Sequence, residues 1–206
     1  MRLWPEWLET TPPATLGEST LPISSQPYNT PARTDIPAFT GDRPVILVTL
    51  GTVVEDLPLL RTAVQAVLDA GADALVTTGF AATPADLGAV TDPTRVRAVS
   101  FAPIAQLLDH AQAVLAAGGS GTTLATLSRG LPLAFIPKIA NQPLVASLVT
   151  TFGAALTIDT PDSLPAAIPA LLTTPSLRDR ATAAQSLLAE RPSPATTWTA
   201  LRSRLG

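Results

Sequence analysis

The chain has 206 residues, a formal net charge of −3, no cysteine and one histidine. The length suits one domain plus an appendage, with enough chain for a sizeable core. The mild acidity excludes a nucleic-acid footprint. The missing cysteines exclude disulfides and thiolate metal sites. A single His argues against a histidine zinc site and a His-centred triad. No apolar run reaches the ~18 residues of a membrane span, and Met1–Leu8, broken by an acid and an early proline, does not read as a signal peptide. Together these point to the cytoplasm.

Residues 1–43 form a lead segment in which roughly a sixth of positions are proline, against an average near 5%. Proline fixes φ and removes a donor, so this segment is expected to be extended and loop-like. Trp4, Trp7, Leu8, Ile23, Tyr28 and Phe39 give it apolar anchors along a surface, its own or a partner's.

The folded domain is expected over residues 44–206. Val45–Leu50 is a β-rich apolar run of the kind buried on both faces of a parallel sheet. Helical spacing starts at Leu57, with Asp56 as the cap and Gly71 as the stop. Further strands are expected at Ala74–Thr77, Val96–Val99, Ala113–Ala116, Leu133–Ile136 and Ala155–Ile158. A short helical turn follows Pro103. Helices are expected at Thr122–Arg129, Asn141–Phe152, Asp162–Leu172, Ser176–Glu190 and Ser193–Leu205. Ser176 and Asp179 have capping-box spacing. Strands alternating with short helices predict a Rossmann-like α/β domain, a parallel sheet with helices on both faces. Ligands of such sheets bind at the carboxyl ends of the strands.

Three segments should meet at that edge. Leu50-Gly-Thr52 offers backbone N–H groups and a hydroxyl after the first strand. Gly118, Gly119 and Gly121 let backbone approach a ligand closely. Ser120–Thr123 begin a helix whose free N–H groups and dipole favour an anion, by about 0.3–1 kcal/mol for the dipole. Pro137–Gln142 brings Asn141 and Gln142, donor–acceptor side chains suited to sugar hydroxyls. Alone, each has a plainer reading: tight packing for the glycines, helix or turn caps for Asn141 and Thr52. His110 reads as a hydrogen-bonded structural residue and Lys138 as solvated. No Lys follows the last glycine, so this is not a Walker A loop. The glycine spacing and its place at the fourth strand also differ from a dinucleotide fingerprint.

As an ordered set the motifs are specific. Val48-Thr-Leu-Gly-Thr52, Val96–Pro103 with Leu107-Leu108, Gly118–Thr123, Gly130-Leu-Pro132, and Pro137 with Asn141-Gln142 resemble the carboxy-terminal, nucleotide-sugar-binding half of GT-B glycosyltransferases. The resemblance runs from about Gln26 to the end. It is nearest to actinobacterial enzymes that move deoxysugars onto macrolide and polyketide acceptors. It implies a dTDP- or UDP-sugar donor, with Phe101 on the base and the backbone at Ile104 on the base edge. Thr52, Gly119, Ser120, Gly121 and Thr122 would hold the diphosphate, and Asn141 and Gln142 the sugar. It implies no metal, no cofactor and no catalytic residue in this chain. The acceptor site and base would lie in an N-terminal acceptor domain or partner subunit. Residues 1–43 would then be an interdomain linker, or the natural start of a split enzyme's donor subunit.

Two departures stand out. The family usually carries His-His where this chain has Ala116-Ala117, and the second His reaches the donor phosphate. A methyl group cannot donate that bond, worth about 1.5–3 kcal/mol to a charged partner. Plant relatives carry a ribose-binding Glu near Ala125, and its absence suits a 2′-deoxyribose. The same two losses suit a catalytically inactive homologue acting as an auxiliary module.

Overall fold

The computed structural model describes residues 21–31, 33–36, 38–52, 56–90 and 92–205. The anchors Trp4, Trp7 and Leu8 lie outside the described residues. Six strands form one fully parallel sheet: β1 (Val45–Thr49), β2 (Asp73–Thr77), β3 (Val96–Val99), β4 (Ala113–Ala116), β5 (Leu133–Phe135) and β6 (Ala155–Thr157). Their order is β3-β2-β1-β4-β5-β6, the doubly wound Rossmann arrangement. Chain direction across the sheet reverses between β1 and β4, which is the switch point.

One register row crosses the whole sheet: Val99, Thr77, Thr49, Ala116, Phe135 and Thr157 pair in turn. Each strand ends on that row. The loops that follow therefore leave at one level and form a single edge.

The helices are α1 (Leu57–Asp69), α2 (Ile104–Leu108), α3 (Ser120–Leu127), α4 (Gln142–Phe152), α5 (Leu164–Thr173), α6 (Pro175–Ala189) and α7 (Pro194–Leu205). Side chains alternate along each strand, and the two faces build two cores. Ile46, Val48 and Leu115 pack with Leu60, Val64 and Val67 of α1 and Ile168 of α5. Leu47, Val114 and Phe135 pack with α2, α3, α4 and α6 on the other face.

The α1 start is as its sequence dictates. Asp56 accepts a 3.0 Å bond from the Leu59 N–H, and Gly71 follows the helix at φ +79°. Most other boundaries fall within a residue of expectation, and three features differ for a local reason. The helix after the glycine run begins at Ser120 rather than Thr122, with Gly119 at its N-cap. The expected helix from Asp162 is a 3-10 turn over Pro161–Ser163 followed by α5, with Pro169 tolerated inside. The capping box at Ser176 does not form. Pro175 opens α6, so Ser176 already lies within the helix and no side chain caps it.

The described lead segment lies on the domain's own surface. The Ser24 N–H donates to the Pro192 carbonyl (2.9 Å), the Thr197 hydroxyl to that of Pro22 (2.8 Å), and the Thr34 N–H to Gln106 Oε1 (2.8 Å). The Arg97 guanidinium covers the Phe39 ring at 5.2 Å.

Candidate functional site

The loops after β1, β2, β3, β4 and β5 border two adjoining clefts at the carboxyl edge. The larger, about 420 Å³, runs from Tyr28, Phe101 and Ile104 to Gly121 and Thr122. The smaller, about 250 Å³, lies between Gly51, Thr52, Ala116, Ala117, Gly119 and Gln142. Thr49, Gly51, Thr52, Gly121 and Thr122 border both. The edge thus carries one continuous groove across the switch point.

Three exposed rings mark one end. Phe101 stacks on Phe80 with centroids 5.2 Å apart and planes 25° from parallel, and meets Tyr28 at 6.1 Å and 51°. Phe80 is 71% and Tyr28 57% exposed, far more than buried packing would leave them. Phe101 therefore borders the larger cleft inside an aromatic cluster. Ile104 opens α2 beside it, and the next N–H, of Ala105, points to the Tyr28 carbonyl at 3.5 Å.

Backbone makes the other end. The first bond of the α3 ladder runs from the Thr123 N–H to the Gly119 carbonyl (3.0 Å). The N–H groups of Ser120, Gly121 and Thr122 precede it. A Cβ on Gly119 or Gly121 would meet nothing within 4 Å, so both leave open space over the turn. Gly118 differs. At φ +94°, with Gln142's carbonyl 3.2 Å from where its Cβ would be, it is needed for packing. Thr123 is fully buried and its hydroxyl turns back to the Gly119 carbonyl (2.9 Å). Of the hydroxyls in the run, those of Ser120 and Thr122 remain at the half-buried helix start.

The third segment is tied to the second. Asn141 occupies the N-cap of α4, yet its side chain makes no cap bond. Its Nδ2 donates instead to Ser120 Oγ at 3.0 Å. Gln142 is buried, and its Oε1 accepts the N–H groups of Lys138 (2.9 Å) and Ile139 (3.0 Å). That leaves Nε2 as its remaining donor at the smaller cleft. Ala140, between these residues, holds φ +54°, a conformation rare for a residue with a Cβ.

Lys138 is exposed, as its solvated reading expects, and it is also paired. Its Nζ lies 3.1 Å from Asp56 Oδ2, with each side chain about a third exposed. The Leu59 N–H, and then Lys138, hold the Asp56 carboxyl below its ordinary range. His110 sits beyond the far end of α2, beside a polar hollow with Asn29, Arg33 and Asp109. Ala116 and Ala117 are both 2% exposed and face opposite cores. Every described residue bordering the two clefts is uncharged.

Sequence reasoning took Tyr28 only as an anchor and passed over Phe80. A usable signal was present, because Thr77-Thr78-Gly79-Phe80 puts an aromatic just past a strand's carboxyl end. The Asp56–Lys138 pair spans 82 positions and leaves no local pattern.

A Rossmann-like sheet with this groove at its switch point, and helices on both faces, is the carboxy-terminal half of a GT-B glycosyltransferase fold. Within that class, the chain belongs to the family described as erythromycin biosynthesis protein CIII-like, C-terminal domain, which it matches over residues 58–202. It is 35% identical over 121 residues to elloramycin glycosyltransferase ElmGT of Streptomyces olivaceus, covering 59% of this chain and 31% of that protein. It is 36% identical over 137 residues to 4′-demethylrebeccamycin synthase of Lentzea aerocolonigenes, covering 63% and 31%. Glycosyltransferase SnogD from Streptomyces nogalater superposes with a TM-score of 0.81 at 27% identity, over 99% of this chain and 55% of that one. Glycosyltransferase VinC, solved in complex with dTDP, superposes at 0.75 with 29% identity, over 96% and 49%. The chain thus spans about a third of the length of these two curated relatives and about half of the solved chains.

Proposed function

We propose that residues 44–206 are the donor-binding unit of a glycosyltransferase that moves a deoxysugar from a dTDP-sugar to a small natural-product acceptor. The observation that carries this is the continuous groove from the aromatic rings to the α3 start, uncharged among the described residues, in a chain of this family. The base lies against Phe101, in reach of Tyr28 and Phe80. The diphosphate sits on the N–H groups of Ser120, Gly121 and Thr122, with Gly119 leaving room and Thr52 opposite. Asn141 and Gln142 face the sugar. The dTDP complex of VinC supports thymidine over uridine, as does the small Ala125.

The acceptor and its base belong to a further domain or a partner subunit. The base deprotonates the acceptor hydroxyl, which attacks the anomeric carbon. The bond from that carbon to the diphosphate oxygen breaks, and its electron pair leaves on the phosphate. This domain's part is to hold the donor and to stabilise that charge, with N–H groups and a helix terminus already aimed.

Isothermal titration calorimetry with dTDP and UDP tests the reading. The expected outcome is saturable dTDP binding, with UDP weaker. If neither nucleotide binds up to millimolar concentration, the donor-site reading fails and the auxiliary-module alternative takes its place.

A further inference from the structure

The groove has an electrostatic problem. Among the described residues its borders carry no charge, while a nucleoside diphosphate carries at least two negative charges. Among the described residues, Asp56 makes matters worse. It borders a third hollow that shares Leu50 and Gly51 with the smaller cleft. Its carboxyl is held ionised by the Leu59 N–H.

Lys138 is the only lysine in the chain. Asp56 follows β1 and Lys138 follows β5, and β4 lies between those strands. Two strand spacings are about 10 Å, and the 3.1 Å Lys138–Asp56 pair joins loops that leave the sheet on either side of the carboxyl end of β4. That end is Ala116-Ala117, which borders the smaller cleft. Ala117 faces the α1 core together with Leu59 and Leu60, which is the side the pair covers. The lysine's root is also fixed to the site, because its N–H donates to the same Gln142 that borders the cleft. Its side chain is a third exposed, and its four-carbon stem can turn from Asp56 to a phosphate at the neighbouring α3 turn.

Resting on the donor-site reading, we propose that Lys138 is the cation of the diphosphate site and sets its preference for a diphosphate over an uncharged nucleoside, with Asp56 holding it over β4. Small residues at Ala116 and Ala117 leave that path clear. Asp56 competes with the phosphate for the lysine, so it lowers affinity while keeping the ammonium in place.

The test is titration of dTDP and thymidine into the full chain and three variants. Lys138→Gln is expected to weaken dTDP binding about tenfold, the scale of one solvent-screened charged hydrogen bond, and to leave thymidine unchanged. Lys138→Arg restores most of the dTDP affinity. Asp56→Asn keeps the helix cap and removes the competing charge, so dTDP binds a few-fold tighter. In parallel, an amine-acetylating reagent followed by peptide mass spectrometry reads Lys138 directly, and dTDP but not thymidine slows its modification. If wild type binds dTDP and Lys138→Gln binds it equally well, or loses thymidine to the same extent, the inference is overturned while the donor site stands. If wild type binds no dTDP at all, the donor-site reading falls and takes this inference with it.

Discussion

The two ends of the groove are built on different principles. At the aromatic end, Tyr28, Phe80 and Phe101 are exposed side chains from three separate segments, Phe80 stacked on Phe101 and Tyr28 tilted against it. At the glycine end, the working groups are backbone N–H donors, fixed by a strand end, a helix start and Gly118 at φ +94°. Side-chain changes at the first end should therefore cost binding without costing stability. At the second end, binding and folding are coupled wherever the backbone itself must move.

The sharpest break is Gly118→Ala. Its Cβ would meet Gln142's carbonyl at 3.2 Å from a left-handed backbone. A loss of about 1–3 kcal/mol in urea unfolding is expected, together with loss of dTDP binding. At the other end, Phe101→Ala should weaken dTDP by about 1–3 kcal/mol, the scale of one base–aromatic stack, with an unchanged thermal midpoint. Gly121→Ala separates the two principles within one turn. Its Cβ meets nothing in the protein, and Ala is the better helix former by about 1 kcal/mol, so thermal stability should hold or rise. The methyl fills the space over the turn, and calorimetry should show dTDP affinity reduced about tenfold.

The smallest effect concerns Asp56. Asp56→Ala removes the α1 cap and should cost about 1 kcal/mol at neutral pH. The folded Asp56 carboxyl lies below its ordinary 3.8, because the Leu59 N–H and Lys138 favour the charged form. Its charge-dependent stabilisation is therefore complete above that value and is lost as pH falls through the lower, folded one. The gap between wild type and Asp56→Ala in urea melts should be constant from pH 7 to 5 and narrow at more acid pH.

The strands were the most legible part of the chain. Val45–Thr49 and Ala113–Ala116 are short apolar runs bounded by turn residues, and burial on both sheet faces demands such runs. Helix starts were less legible where proline decides them, as at Pro175, because a fixed φ opens a helix without any capping side chain. At the site, the glycines and the Asn141-Gln142 pair stood out because they are local motifs. Their division of labour did not. Gln142 turns its side chain back onto its own loop at Lys138 and Ile139, whereas Asn141 bonding Ser120 depends on β4 and β5 lying side by side. The same holds for Phe80 on Phe101 and for Lys138 on Asp56, which join strands distant in sequence but adjacent or near-adjacent in the sheet.

A crystal structure of the chain with dTDP tests the central claim most directly. The account predicts the diphosphate within hydrogen-bond distance of the Ser120, Gly121 and Thr122 N–H groups and the thymine against the Phe101 ring. A nucleotide bound away from the carboxyl edge of β1 and β4 would contradict it.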